Sequence, residues 1–327
     1  MDLWRALKSR YYVPSEKDAL LAGAWNRATR RRVPQFPRTV QFETHSACNA
    51  ACVFCPYPAT AAGQPKGRMP PELFHKIVDE MARHDVRRIS PYLNNEPFLD
   101  PDMVEKIRTL HERIPRAKLV LTTNGSLLDE ATVDGLLAAD ALHALYLSIQ
   151  GVDREGYEAS TGGALNFEDV MSNALSLIAK WKAAGGRRRF KLVITMVRTS
   201  KIDVEKAAAF WREKGVASQW TPLENRGGNT ALGPGLIPEK GTMRRFARCA
   251  RLFKQAYILW NGDMVLCCTD YTRRVVLGNV GESSIADVWN SPKASGVRRL
   301  YAEGRMDLIP LCRECAICDT TEDGSFR

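Results

Sequence analysis

The sequence predicts an α/β protein, a partial (β/α)6 TIM-like barrel followed by a small domain built from a β-hairpin and a helix. Strand-like and helix-like periodicity alternate along residues 38–222, which gives six strands with helices between them. A stretch rich in glycine and proline, 225–241, then ends the alternation as a linker. Beyond this linker, a second group of cysteines surrounds a predicted hairpin.

The elements follow one another in the order that a parallel sheet requires. The predicted strands cover residues 39–43, 87–93, 118–123, 144–149, 190–197 and 217–222. The predicted helices between them cover residues 71–84, 102–113, 129–139, 167–184 and 204–214. Because a strand–helix–strand crossover is right-handed and returns the chain to the same edge, all six strands are expected to run in parallel.

The same pattern divides the chain into three parts. Residues 1–36 combine aromatic and charged side chains and predict an N-terminal helical extension. Residues 37–235 form the predicted barrel, and residues 236–327 form the predicted auxiliary domain. In the auxiliary domain, Asn261-Gly262 predicts a tight hairpin turn, and a short helix is expected around residues 285–289.

The composition is that of an ordinary globular protein, with 45% hydrophobic and 26% charged residues. The formal net charge is +10, but the arginine runs at 30–32 and 187–189 are not interleaved with aromatics, so solvated faces are expected rather than a nucleic-acid surface. The sequence has no membrane-length apolar run, and its first residues do not resemble a secretory signal. Nine cysteines in two groups favour metal ligation in the cytoplasm over disulfides.

Three cysteines stand close together directly after the first predicted strand. Cys48, Cys52 and Cys55 have C-x3-C-x2-C spacing. A four-iron cubane needs four ligands, so three thiolates leave one iron open to chelate the amine and carboxylate of a small molecule such as S-adenosylmethionine (SAM). Structural zinc takes four ligands, usually as two separated pairs, and three thiols in one loop fit it poorly.

With Phe54 directly before the third cysteine, this loop resembles the signature of the radical SAM superfamily. The resemblance implies a [4Fe–4S] cluster on Cys48, Cys52 and Cys55, SAM as cofactor with Phe54 among its contacts, and a 5'-deoxyadenosyl radical that abstracts a substrate hydrogen. Active sites in such barrels lie at the C-terminal ends of the strands, where this loop is expected.

The resemblance also implies cofactor contacts after later strands. Asn94-Asn95-Glu96-Pro97 takes the place of the superfamily's Gly-Gly-Glu-Pro stretch, in which the glutamate holds the methionine amine through a charge-assisted hydrogen bond. Asparagine tolerates the backbone angles that glycine would otherwise supply. The other implied contacts, each of which could instead be structural, are Thr123, Asn124, Ser148 and Arg198.

The second cysteine group has the thiols for another cluster. Cys249 and Cys267 flank the predicted hairpin, and Cys312-x2-Cys315 follows the predicted helix. Four thiolates complete a cubane without an open iron, and a zinc ribbon is the alternative. Together with the Gly262-x4-Cys267 element, the spacing resembles the Twitch domain, a shortened SPASM domain found in dehydrogenases of aminoglycoside cyclitols.

Two cysteines remain after both clusters are assigned. Cys318 could replace Cys315 as the fourth auxiliary ligand. Cys268 follows Cys267 directly, so on a strand its side chain should point to the opposite face. It is then either a buried apolar thiol or a hydrogen-atom donor.

Four functions are compatible with these features. The first is oxidation of a carbinol in an aminoglycoside- or cyclitol-like natural-product intermediate, with the auxiliary cluster accepting the second electron. The second is epimerisation of an aminoglycoside or peptide with Cys268 or Cys318 as hydrogen donor, the third is peptide maturation, and the fourth is non-catalytic electron transfer. An enzyme of this kind would take a small-molecule or peptide substrate and an electron donor such as flavodoxin or ferredoxin. The candidate catalytic or substrate-binding residues are Cys268, Glu224, Asp270 and Tyr271, with Asn225 and Arg226.

Overall fold

The computed structural model describes residues 33–232, 234–239, 241–245 and 249–319, so nearly all of the predicted N-terminal extension lies outside it. In this part of the chain the strands are β1 (Thr39–Phe42), β2 (Arg88–Ser90), β3 (Lys118–Thr123), β4 (Ala144–Ser148), β5 (Lys191–Arg198), β6 (Ala217–Pro222), β7 (Thr242–Arg245), β8 (Gln255–Ile258), β9 (Asp263–Val265), β10 (Val276–Asn279) and β11 (Ala316–Asp319). The helices are α1 (Tyr57–Thr60), α2 (Pro71–Ala82), α3 (Met103–Arg113), α4 (Glu130–Ala139), α5 (Arg154–Thr161), α6 (Phe167–Ala183), α7 (Val204–Glu213), α8 (Ile285–Asn290), α9 (Pro292–Ala302) and α10 (Pro310–Glu314).

The main sheet has the strand order β10-β9-β8-β1-β2-β3-β4-β5-β6. Strands β1 to β6 pair in parallel with their neighbours, which confirms the predicted α/β fold with six parallel strands. The hairpin strand β8 pairs in parallel with β1, and β9 and β10 add antiparallel strands beyond it. The hairpin therefore extends the barrel sheet, while β7 and β11 form a separate two-stranded sheet.

Apolar side chains fill the space between the sheet and its helices. Val40 and Phe42 of β1 and Ile89 of β2 have no exposed surface, as expected for parallel strands covered on both faces. On the helices, the fully buried side chains include Val78 and Met81 of α2. None of the helices in the described ranges is long and apolar enough to cross a membrane.

Several elements are absent from the sequence-based prediction. The helix α5 begins at the N-cap Asp153, whose side chain accepts a hydrogen bond from Gly156 N at 2.9 Å, and ends at Gly162 in the left-handed region. Its only buried residues are Tyr157, Ser160 and Thr161, so the sequence shows no apolar periodicity there. The other elements not predicted are α1, β7, β10, α9, α10 and β11.

Candidate active site

The three clustered cysteines lie in the loop that connects β1 to α1, at the C-terminal edge of the parallel strands. All three are half-buried. Cys48 N donates a hydrogen bond to the Tyr57 hydroxyl at 2.9 Å, and Cys55 N donates to Cys52 O at 3.0 Å. Phe54 is buried and packs in an apolar cluster with Val197 and Leu223, so its ring fixes the loop against the barrel.

The chemistry of this loop fits a cationic iron cluster. Burial, aided by the neighbouring charges of Glu96 and Cys55, raises the pKa of Cys48 to about 12. Burial and the charges of Cys55 and Cys48 raise the pKa of Cys52 above its usual range. The raised pKa values mean that Cys48 and Cys52 ionise to ligands only when a positive partner stabilises their thiolates, and bound iron is such a partner.

The cysteine groups are not arranged around one ion. Within the described ranges, no three His, Cys, Asp or Glu side chains are gathered closely enough to hold a single metal ion. The thiolates of a cubane each bind a different iron and so stand farther apart than the ligands of one ion.

Gly162, at the end of α5, sets how closely this helix approaches the cysteine loop. Its φ is +66°, and an added Cβ would lie 2.5 Å from the carbonyl oxygen of Ala51. In the sequence, Ala51 lies between Cys48 and Cys52. Gly162→Ala should therefore displace the loop, cost about 1–3 kcal/mol of folding stability and reduce the iron bound per chain. Gly163→Ala is the matched control, because Gly163 has a φ of +68° with no atom within 4 Å of an added Cβ. Iron analysis and thermal unfolding would compare them, and equal iron retention would contradict this role.

Glu96 lies just after β2 and links it to the end of β3. Its carboxylate accepts hydrogen bonds from Thr123 Oγ1 at 2.6 Å, Asn124 N at 2.8 Å and Phe98 N at 3.2 Å. Burial raises the pKa of Glu96 to about 7, although these hydrogen bonds lower it. A carboxylate has about four acceptor positions, so one remains for a further donor such as an ammonium group.

The two asparagines before Glu96 differ in their surroundings. Asn95 is buried, and its Oδ1 accepts a hydrogen bond from Leu93 N at 3.0 Å. Its Nδ2 lies 3.2 Å from Nε2 of His45, a buried side chain that no sequence motif marks as a site residue. The Oδ1 atom of Asn94 is buried and has no hydrogen-bond partner among the described residues. Asn94 therefore has an acceptor to offer, whereas Asn95 shapes the loop.

Asn124 connects the end of β3 to the cysteine loop. Its Nδ2 donates to Asn49 Oδ1 at 2.8 Å, and Asn49 Nδ2 donates to Ser126 Oγ at 2.9 Å. Ser126 Oγ in turn donates to Asn124 Oδ1 at 2.7 Å. Asn49 was not predicted as a site residue, because only its position between two cysteines marked it.

Ser148 and Arg198 have structural partners. Ser148 Oγ accepts from Gln150 Nε2 at 2.9 Å, and Gln150 Oε1 accepts from Val197 N at 2.9 Å, which joins the ends of β4 and β5. Arg198 forms an ion pair with Glu205 of α7, and its guanidinium lies 4.4 Å from the centre of the Trp220 ring. The structural alternative is thus favoured for Arg198.

The second cysteine group comes together around the loop that follows β9. Cys249, Cys267 and Cys312 pack in one apolar cluster with Leu252 and Tyr301. The Tyr301 hydroxyl accepts a hydrogen bond from Cys249 N at 2.5 Å. Thr269 Oγ1 donates to Cys267 Sγ at 3.4 Å, a donor that suits a thiolate ligand.

The fourth predicted auxiliary ligand, Cys315, is close enough to this group to interact with it. Burial, the charge of Glu224 and the charge of Cys249 raise the pKa of Cys315 to about 12, while Arg251 lowers it. Cys318 instead packs with Phe54 in the apolar cluster next to the first cysteine loop, and it is fully buried.

The expectation that Cys268 points away from Cys267 is wrong. Their thiols share a hydrogen bond, which raises the pKa of Cys268 well above its usual range and lowers the pKa of Cys267. The reason is that β9 ends at Val265, so the two cysteines lie in a turn where the side-chain alternation of a strand does not apply.

Glu224 follows β6 and is buried between two arginines. Its carboxylate lies 3.4 Å from Arg226 Nη1 and 3.4 Å from Arg251 Nη2. Arg251 also approaches Cys267 Sγ at 4.0 Å, so it spans this carboxylate and the auxiliary cysteines. Asn225 is used structurally, because its Oδ1 accepts from Ala316 N at 2.8 Å at the start of β11.

Asp270 and Tyr271 follow the Cys267-Cys268 pair and face different surroundings. The Asp270 carboxylate accepts hydrogen bonds from Arg274 N at 2.8 Å and Val275 N at 2.9 Å, so it closes a turn. The Tyr271 hydroxyl lies 3.7 Å from Cys55 Sγ, in the other cysteine group. The structure therefore brings the Tyr271 hydroxyl to the first cysteine loop, while the Asp270 carboxylate is held by its turn and Asp270 lines, with Tyr271, a cavity beside that loop.

A cavity opens beside the first cysteine loop. Its lining includes Glu43, Asn94, Tyr271 and Arg273. Burial raises the pKa of Glu43 to about 7, against the hydrogen bonds from the Trp260 and Asn94 backbones that lower it. Sequence reasoning missed Glu43, although a charged residue directly after a buried strand is a signal that could have found it.

Comparisons with known proteins agree with this arrangement. Residues 42–210, more than half of the chain, match the Radical SAM superfamily. Residues 249–316 match SPASM, an iron-sulfur cluster-binding domain. One relative is the S-adenosyl-L-methionine-dependent 2-deoxy-scyllo-inosamine dehydrogenase of Niallia circulans, 24% identical over 277 residues, which are 84% of this chain and 91% of the relative.

Solved structures share the fold at low sequence identity. BtrN in complex with AdoMet and 2-DOIA has a TM-score of 0.57 at 20% identity, over 85% of this chain and 92% of that chain. Streptococcus suis SuiB bound to the precursor peptide SuiA has a TM-score of 0.64 at 17% identity, over 90% of this chain and 76% of that chain.

The two family matches cover the two cysteine groups separately. The first includes Cys48, Cys52 and Cys55, and the second begins at Cys249 and ends just after Cys315. They confirm the predicted cofactors, SAM and iron–sulfur clusters, and the prediction that the protein is an enzyme. The chain belongs to the radical SAM superfamily.

Proposed function

We propose that the protein is a radical SAM dehydrogenase that oxidises a carbinol of an aminocyclitol-like small molecule. The observation that carries this proposal is the likeness to 2-deoxy-scyllo-inosamine dehydrogenase, which spans 84% of this chain and 91% of the relative. An oxidation also has a use for both groups, because one cluster starts the reaction and the other can accept the second electron.

The packing supports a ligand set for each of the two clusters. Cys48, Cys52 and Cys55 would hold the catalytic [4Fe–4S] cluster, and Cys249, Cys267, Cys312 and Cys315 would hold the auxiliary one. Cys315 is favoured over Cys318 because Cys315 interacts with Cys249 and Arg251, whereas Cys318 packs with Phe54. When bound, the catalytic cluster and SAM supply a carbon radical that removes a hydrogen atom from the substrate.

The chain's own residues then have to orient the cofactor and move a proton. Glu96, with its remaining acceptor position, and Asn94, with its unpartnered Oδ1, would orient the methionine end of SAM. Loss of a hydride equivalent from a carbinol also releases the hydroxyl proton. Glu43 is the candidate acceptor, because its pKa of about 7 suits proton transfer near neutral pH and it lines the cavity beside Tyr271.

The catalytic cluster has to be reduced by an external donor, and flavodoxin or ferredoxin is the proposed class. The net charge of +10 favours association with an acidic carrier protein, because opposite charges raise the rate of encounter.

Epimerisation is the second candidate, since Cys268 is a half-buried thiol close to Arg226 and Tyr271 and could return a hydrogen atom. The two functions leave different isotopes in the product. In heavy water, a thiol donor would place one deuterium on the reacting carbon, whereas an oxidation removes two hydrogens and adds none.

We expect the product made from 2-deoxy-scyllo-inosamine in heavy water to be two hydrogens lighter than the substrate, with no deuterium on the reacting carbon. Mass spectrometry after removal of exchangeable deuterium measures this directly. Cys268→Ala should still form product in the oxidation and should stop product formation, but not SAM cleavage, in an epimerisation. A product with one added deuterium and an unchanged number of hydrogens would contradict the proposed dehydrogenase function.

A further inference from the structure

One side chain joins the two cysteine groups. Tyr271 belongs to the loop between β9 and β10, which also carries Cys267, yet its hydroxyl lies 3.7 Å from Cys55 Sγ. The two residues are 216 positions apart in the sequence. The loop that holds an auxiliary ligand therefore reaches directly to a ligand of the catalytic cluster.

The loop around Tyr271 is held from both sides, so the contact does not depend on a freely moving side chain. The Asp270 carboxylate fixes the following turn through the backbone amides of Arg274 and Val275. Thr272 Oγ1 donates a hydrogen bond to Asn229 Oδ1 at 3.0 Å, and Asn229 Nδ2 donates to Thr269 O at 2.7 Å. Tyr271 is thus presented by a short segment that is hydrogen-bonded before and after it.

The chemistry of a cluster ligand settles the direction of this hydrogen bond. A ligating cysteine is a thiolate and has no proton to give, so the tyrosine hydroxyl must be the donor. Hydrogen bonds to the sulfurs are one of the terms that set the reduction potential of an iron–sulfur cluster. Reduction adds negative charge to the cluster, so a donated hydrogen bond stabilises the reduced state more than the oxidised state.

A positively charged group that interacts with both partners of this contact acts in the same direction. The guanidinium of Arg226 interacts with Glu224, Tyr271, Cys268 and Cys55. Its positive charge is shared with the Glu224 carboxylate at 3.4 Å, so it neither replaces nor cancels the hydroxyl donor.

We propose that Tyr271 donates a hydrogen bond to the Cys55 thiolate and thereby raises the reduction potential of the catalytic cluster. It is a positioning residue, and the proposal rests on the function proposed above, in which Cys55 is a cluster ligand. Through Tyr271, the auxiliary domain helps to set how readily the barrel's cluster accepts an electron.

The test is an EPR-monitored redox titration of the holoenzyme and its Tyr271→Phe variant. At a fixed solution potential, the oxidised-to-reduced ratio of the catalytic cluster should rise by about three- to tenfold in the variant. The same ratio for the auxiliary cluster should not change. Tyr92→Phe is the matched control, because the Tyr92 hydroxyl accepts its hydrogen bond from Thr122 at 2.7 Å. An unchanged ratio in Tyr271→Phe, with both clusters present, would overturn the proposal.

A second substitution tests the proposal if the Tyr271→Phe variant does not retain its iron. Site-specific 3-fluorotyrosine at position 271 keeps the ring and strengthens the donor, so the oxidised-to-reduced ratio should fall instead, and a ratio equal to that of the wild type would overturn the proposal. Iron analysis of the wild type separates this result from the proposed function. A chain without a cluster on Cys48, Cys52 and Cys55 would contradict the proposed function and would remove the thiolate that Tyr271 is proposed to bind.

Discussion

Replacing Cys48, Cys52 and Cys55 together with alanine should leave about four of about eight iron atoms per chain and abolish SAM cleavage. The physical reason is that each group of thiolates binds its own cubane. The two sets lie in separate apolar clusters, so removing the first set leaves the second packed around Leu252 and Tyr301. Iron and sulfide analysis after reconstitution, with deoxyadenosine release under dithionite, measures both effects.

The reciprocal variant tests the auxiliary set and its fourth ligand. Cys312→Ala with Cys315→Ala should also leave about four irons, but this protein should still cleave SAM because the catalytic loop is intact. Cys318→Ala is the matched control, and it should retain about eight irons because Cys318 packs with Phe54 rather than with Cys249. Zinc in place of iron, or loss of all iron from the triple variant, would contradict the two-cluster assignment.

The parallel sheet could be predicted from the sequence because its strands are apolar runs that can be recognised without any knowledge of their contacts. Leu119 and Leu121 of β3 and Leu145 and Leu147 of β4 are almost completely buried, and each lies in a predicted strand. The first cysteine loop could also be predicted from the sequence, because its three cysteines lie within eight residues and their spacing is itself the evidence.

What the sequence could not predict depends on contacts between distant segments. Nothing in residues 255–258 indicates that β8 pairs with β1, because pairing is set by packing rather than by local pattern. The position of Cys268 followed an assumption that β9 continues, and the turn at residues 267–270 overrides it. The contact between Tyr271 and Cys55 joins residues from two domains. Hydrophobic periodicity along the sequence does not indicate contacts between such distant residues.

The charged site residues show the same limit. Glu96 was found because a family motif marks it, whereas Glu43 was missed, yet burial raises the pKa of both to about 7. Arg198 seemed suited to a carboxylate by its place at the end of β5, but Glu205 and Trp220 already surround its guanidinium. The sequence can locate a polar side chain at the end of a strand. Whether that side chain can bind a ligand depends on the neighbouring residues that already contact it.

The affinity for SAM should rise roughly five- to tenfold between pH 6 and pH 7.5, because the role proposed for Glu96 requires its carboxylate form to hold the methionine ammonium. Burial raises the pKa of Glu96 from 4.5 to about 7 in the folded protein, so the neutral acid is favoured by folding. That contribution to stability is complete below pH 4.5 and is lost as the pH rises through about 7. Bound ammonium then supplies the charge partner that the ionised carboxylate lacks.

Glu96→Gln removes this titration without removing the side chain. Its affinity for SAM should fall by about 1.5–3 kcal/mol at pH 7.5, which is the worth of a hydrogen bond to a charged group, and the rise with pH should disappear. The α-amino group of SAM itself titrates near pH 8. Its ionisation affects the SAM affinity of the wild type and of the variant alike, and the measurements stay below that pH.

Glu80→Gln is the control for neutralising a buried acid elsewhere. Glu80 is 5% exposed, and its carboxylate accepts hydrogen bonds from Ile285 N at 2.8 Å and Ala286 N at 2.9 Å at the start of α8, away from the cysteine loop. This variant should lose folding stability but keep the affinity for SAM and its pH dependence. Isothermal titration calorimetry of the iron-loaded proteins at pH 6, 6.75 and 7.5 compares the three. If Glu96→Gln binds SAM as tightly as the wild type at pH 7.5, Glu96 is excluded from the cofactor site. The variant lacks the carboxylate charge, and nothing else in it replaces that charge.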